Sequence, residues 1–108
     1  YFISESNFSL LKEPSQSRSS NWVFTLLFNG PTDNRDNLLK DLNLRGIGAG
    51  LVHLPNHIYS AFNSSRRNLP GTEEFAGRQI SLPCGWWLKE SDCIDICRVV
   101  HELARKSS

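Results

Sequence analysis

The chain has 108 residues, and its 12 Lys and Arg against 11 Asp and Glu leave a net charge of +1. With 39% apolar and 21% charged residues, it is expected to build one small globular domain around a single core. The near-neutral charge excludes the electrostatic footprint of a nucleic-acid or anionic-lipid binder, and no apolar run is long enough to cross a bilayer.

Residues 1–20, YFISESNFSLLKEPSQSRSS, are rich in Ser with one Pro and scattered charges. They read as a linker or docking segment, in which Phe2, Ile3, Phe8, Leu10 and Leu11 are apolar enough to rest on a neighbour. The domain proper is expected over 21–108. NWVFTLLF, at 21–28, is nearly continuous apolar, β-branched and aromatic, and stops at Asn29-Gly30-Pro31. This predicts a strand covered on both faces. A helix follows, with Asp33 as its N-cap, Asp36 in the first turn and a stripe of Leu38, Leu39 and Leu42. Arg45 and Gly46 close it.

GLVHL, at 50–54, predicts a short strand ended by Pro55. The stretch 56–71 is irregular, with one helical turn near 58–62. GTEEFAGRQ reads as a short helix capped by Thr72, and QISLP as another strand. The last helix is capped by Ser91, carries Asp92 and Asp95 in its first turn, and repeats Ile96, Val99, Val100 and Leu103 at helical spacing. Its cations His101, Arg105 and Lys106 lie toward the end that favours them. The order predicts an α+β two-layer domain, a small sheet covered by helices on one side.

The segment GIGAGLVHLPNH, residues 46–57, concentrates glycine and two histidines. Its glycines follow a helix, whereas a dinucleotide-binding fingerprint follows a strand and opens a helix. They are therefore read as turn geometry, with Gly46 at the helix C′ position. His53 and His57 admit two readings. An imidazole both donates and accepts, which suits a sugar hydroxyl, and its cation suits a phosphate. Equally, His53 is a satisfied strand residue and His57 caps the next turn.

Cys93, Cys97 and His101 recur at i, i+4 and i+8, but without a fourth ligand or a CxxC knuckle they are read as packing rather than a metal site. Three cysteines, an odd number without framework spacing, point to a reducing, cytoplasmic setting. Trp86 and Trp87 are read as interface residues. Arg18, ahead of the first strand, is read as a solvated charge. Methionine is absent, so the chain is expected to be a piece of a longer one.

KEP at 12–14, SSNW at 19–22, RGIG at 45–48, VHLPNH at 52–57 and ISLP at 80–83 occur in an order that resembles the DegT/DnrJ/EryC1/StrS nucleotide-sugar aminotransferases. The likeness is to their C-terminal small domain and spans residues 11–104. The leading KEPxxxxSxxW pattern is most similar to the legionaminic-acid-type branch. Many members carry HYxPxH, of which Pro55 and His57 match while Val52 and His53 stand at the first two positions.

The resemblance implies a fold-type I parent that uses pyridoxal phosphate to aminate a keto nucleotide sugar for a surface polysaccharide. The amino donor would be glutamate, and the parent would act as a homodimer. It implies that the cofactor's lysine lies in a missing N-terminal domain, so that this chain alone holds neither cofactor nor catalytic residue. Within the chain it points to His57 first, then His53 and Asn56, as substrate-binding residues. The rival reading is a stand-alone, non-catalytic α+β binding or interaction module. Exposed apolar residues among 2–11 and at Trp86-Trp87 would favour a domain cut from its partner.

Overall fold

A computed structural model describes residues 7–65 and 67–107. Three strands, β1 (Phe8–Leu10), β2 (Phe24–Phe28) and β3 (Gln79–Leu82), form an antiparallel sheet in the order β1-β2-β3. The helices are α1 (Thr32–Leu44), α2 (Pro70–Arg78) and α3 (Glu90–Ser107), and two short 3-10 segments cover Asn56–Ile58 and Ser60–Ser65. The register sets Phe8 opposite Phe28, and Leu26 between Leu10 and Ile80. Alternation along each strand sends these residues to one face. There Phe8, Leu26, Phe28, Ile80 and Leu82 meet Leu38 and Leu42 of α1 and Val100, Leu103 and Ala104 of α3. Thr25 and Ser81 take the opposite face, joined hydroxyl to hydroxyl at 3.0 Å. The α+β architecture with helices packed on one side of a small sheet is thus as expected.

Four local expectations change. Phe8, expected in a linker or docking segment to rest on a neighbour, does so inside the domain as a core residue of β1, where its ring lies 5.8 Å from that of Phe28 between centroids. Phe2 and Ile3 lie outside the described residues. α1 starts at Thr32 rather than after an Asp33 cap, since the amide of Arg35 closes the first helical bond on the Pro31 carbonyl. α2 starts at Pro70, whose missing N–H is harmless in a first turn, so Thr72 is already inside it. In α3, the carboxylate of Asp92, not Ser91, reaches back to accept the Lys89 amide at 2.9 Å.

The end of α1 is as predicted. Gly46 has φ of +81°, the left-handed region where a Cβ is penalised. Its amide donates to the Asn43 carbonyl and the amide of Ile47 to that of Leu42, both at 3.0 Å. These are the two bonds of a Schellman motif, and its hydrophobic contact is made by Ile47 and Leu42, both in the core.

Candidate functional site

The strand expected over 50–54 is cut to one residue. Gly50 and Ser81 exchange amide bonds at 3.0 and 2.8 Å, forming an isolated bridge on the open edge of β3. In an antiparallel ladder the next such pair, two residues on, would be Val52 with Gln79. The carbonyl of Gln79 instead accepts from the Nη1 of Arg35 at 2.9 Å. Arg35 is 4% exposed on α1; its Nη1 also donates to the Ala76 carbonyl at 2.8 Å and its Nε to Asp36 at 2.7 Å. The side chain of Gln79 substitutes for its backbone. Its Oε1 accepts the Val52 amide at 3.2 Å, and its Nε2 donates to the His53 carbonyl at 2.8 Å. The segment after Gly50 is held a side chain's length from the sheet.

That offset opens a cavity of about 270 Å³ between segment 53–56 and α2, lined by His53, Pro55, Asn56, Thr72, Phe75 and Gln79 among others. Two of the three residues singled out from sequence, His53 and Asn56, therefore share one wall. His53 is exposed, and its ring lies 6.4 Å from that of Trp22. His57 does not line the cavity. Its side chain is only 14% exposed, with Nε2 3.6 Å from a carboxylate oxygen of Glu73 on α2. Its Nδ1 is buried with no hydrogen-bond partner among the described residues. The three candidates thus divide: His53 and Asn56 face outward, and His57 ties their segment to α2.

The cavity sits at the lower end of the size of ligand pockets, so it presents a wall rather than an enclosure. A larger groove of about 500 Å³ lies elsewhere, between the end of the sheet and the start of α3. Leu10, Val23, Phe24, Leu82 and Ile96 line it with the three cysteines. It offers few groups for sugar hydroxyls and is the poorer candidate for a polar substrate. Lys12 and Arg18 line a third cavity, under the loop before β2. Burial holds the Cys97 thiol above its ordinary pKa, with Cys93 adding to the effect. Among the described residues no group of three or more His, Cys, Asp or Glu could hold a metal, and no helix is long and apolar enough to cross a membrane.

Pyridoxal phosphate chemistry needs a lysine that binds the cofactor covalently, in a cleft, with an acidic partner for the ring nitrogen. Lys12, Lys40, Lys89 and Lys106 are all exposed. Lys106 is paired with Glu102 on the surface of α3. The residues present do not fit the cofactor.

Residues 4–101 match the model of the DegT/DnrJ/EryC1/StrS aminotransferase family. The chain belongs to this family. Its fold is that of solved sugar aminotransferases. It overlays Helicobacter pylori PseC, an aminotransferase involved in the biosynthesis of pseudoaminic acid, with a TM-score of 0.88 and 24% identity over 97% of this chain. The sugar aminotransferase CalS13 of Micromonospora echinospora gives 0.82 and 23% over 94%. Spr1654 of Streptococcus pneumoniae, assigned as a sugar aminotransferase and solved in PMP and PLP forms, gives 0.88 and 18% over 99% in the PMP form. The chain spans 29%, 26% and 28% of these three proteins respectively. No curated protein sequence matches it.

Gln79 and Arg35 were not legible as site residues. The one signal was a polar residue opening the apolar run QISL, which alone does not say what its side chain holds.

Proposed function

We propose that this domain is the C-terminal small domain of a cytoplasmic, homodimeric, pyridoxal-phosphate-dependent aminotransferase acting on a keto nucleotide sugar. The amino sugar would serve a surface polysaccharide, with glutamate as donor and a legionaminic-acid-type product as the nearest expectation. The observation that carries the reading is the family match over residues 4–101, together with a shallow, mostly apolar wall on which His53, Asn56, Thr72 and Gln79 place polar groups and which needs a second surface to enclose a ligand. The cofactor, when bound by the rest of the protein, supplies the electron sink that moves the amino group. This chain's residues bind and orient. His53 and Asn56 offer donors and acceptors to the hydroxyls of the sugar. His57 and Glu73 hold the segment that carries them against α2.

Exposed apolar surface supports a domain that packs on a larger body. Trp86 is 93% exposed, Trp87, Leu10 and Leu11 are also exposed, and such surface marks interaction sites. The test is the native gene product, captured from source cells by an antibody against this domain. The expected result is a protein several times heavier than 12.3 kDa that carries pyridoxal phosphate and aminates a keto nucleotide sugar from glutamate. A product of this chain's own mass, with no cofactor, would replace the enzyme by a stand-alone binding module.

A further inference from the structure

We infer that Gln79 is the positioning residue of this site: its buried carboxamide, standing in for a strand ladder, sets where His53 and Asn56 are presented. The inference rests on the proposed role of the 53–56 wall, but its geometry stands independently. Gln79 is 1% exposed, and a buried amide left unpaired is costly. Both of its polar atoms are used on one segment, Oε1 on the Val52 amide and Nε2 on the His53 carbonyl. Its own carbonyl accepts from Arg35, and Val52 bonds the Gln79 side chain where Gly50 bonds the backbone of Ser81. The same side chain that ties the segment down also keeps it away from the sheet, and lines the cavity so created. A residue serving only as core filler would use neither amide atom on this segment. Gln79 acts on a ligand through His53 and Asn56, not by chemistry of its own.

The test uses the 108-residue chain and two variants. Gln79→Met keeps length and approximate volume and removes both bonds. Gln79→Glu, examined at a pH where the buried carboxyl is protonated, restores an acceptor for Val52. Amide hydrogen exchange is read at Val52, with Gly50 and Ser81 as internal controls for the sheet, and the chemical shifts of His53 and Asn56 are compared between the native chain and the variants. In Gln79→Met the Val52 amide is expected to exchange about tenfold faster, with Gly50 and Ser81 unchanged and the His53 and Asn56 resonances displaced. Gln79→Glu should recover the Val52 protection. If Val52 exchanges equally in the native chain and in Gln79→Met while the controls hold, the assignment is overturned. If Val52 responds as expected but the His53 and Asn56 resonances stay where they are in the native chain, Gln79 holds Val52 without setting how the two residues are presented, and the positioning role is overturned while the substrate-wall reading is untouched.

Discussion

The guanidinium of Arg35 donates to the carbonyl of Gln79 at 2.9 Å, so a side chain of helix α1 meets the β-sheet edge two residues before the Gly50–Ser81 bridge. Arg35 also satisfies the Ala76 carbonyl in the last turn of α2, so one buried cation closes two polar groups that no strand or helix partner reaches. Replacing it with Met should destabilise the fold by about 3 kcal/mol, the cost of leaving two buried acceptors unsatisfied. Urea denaturation should show a lower midpoint with an unchanged slope. An unchanged midpoint would mean that water replaces the guanidinium at no cost.

Gly46 offers a second check, on the backbone alone. At φ of +81° an added Cβ is strained, although nothing lies within 4 Å of where it would sit. Gly46→Ala should therefore cost about 1 kcal/mol, from conformation and not from a clash. That corresponds to a fall in Tm of about 4–8 °C for a domain of this size. A Tm equal to that of the native chain would show that the turn relaxes into another conformation.

The features that sequence predicted well are those decided locally. The stripe Leu38, Leu39, Leu42 and the run Ile96 to Leu103 fix two helices because each alone repeats at helical spacing. Gly46 after Arg45 fixes the end of α1 for the same reason. The larger misreadings, of Phe8 and of the 50–54 strand, involve a partner distant in sequence, whereas the caps expected at Asp33, Thr72 and Ser91 were displaced by neighbours within a turn. Phe8 sits in a polar, Ser-rich stretch and becomes core only because Phe28 lies opposite it. Leu51 and Val52 have strand-like neighbours, yet the Val52 amide bonds the side chain of Gln79, whose carbonyl accepts from Arg35 of α1. His53, Asn56 and His57 are close in sequence, but their division into an outward pair and an inward tie depends on α2. Glu73 and Gln79 supply that division, and neither belongs to a local motif.

His57 should behave as a buried space-filler with one weak polar contact. Its Nε2 is 3.6 Å from Glu73 and its Nδ1 has no hydrogen-bond partner among the described residues. Phenylalanine fills a similar volume without burying an unpaired nitrogen, so His57→Phe should keep stability within about 1 kcal/mol of the native chain. His57→Ala should be clearly less stable, because it removes the ring that packs the 56–58 segment against α2. Thermal melts of the two variants decide this. If the Phe variant is the less stable, the imidazole makes a polar interaction that its contacts with Glu73 do not account for.

Cys97 predicts how stability should change at alkaline pH. Burial raises its pKa in the fold, and the neighbouring Cys93 pushes the same way, so the unfolded chain's thiol ionises first. Below the ordinary thiol pKa of about 8.5 the two states hold the same proton and the shift has no effect. Above it, the unfolded state gains by ionising, and stability is lost progressively until the pH passes the folded value. Cys97→Val removes this term. Comparing urea midpoints at pH 7 and pH 10 should show a larger alkaline loss for the native chain than for the variant, and equal losses would mean that the buried thiol ionises as readily as a free one.

Trp86 tests whether exposed apolar surface serves stability or association. At 93% exposure its ring is not part of the core, and surface substitutions of this kind usually change stability by no more than about 0.5 kcal/mol. Its neighbour Trp87 meets it edge-on at 6.1 Å between centroids, so the pair presents a broad aromatic surface beside Leu88 and the apolar groove. Such a surface, left open to water, favours self-association of the isolated domain. Trp86→Ser should leave the urea midpoint in place while lowering the concentration dependence of the sedimentation coefficient. A shifted midpoint with unchanged sedimentation would instead assign Trp86 to the fold, and the exposed ring would no longer argue for a partner surface.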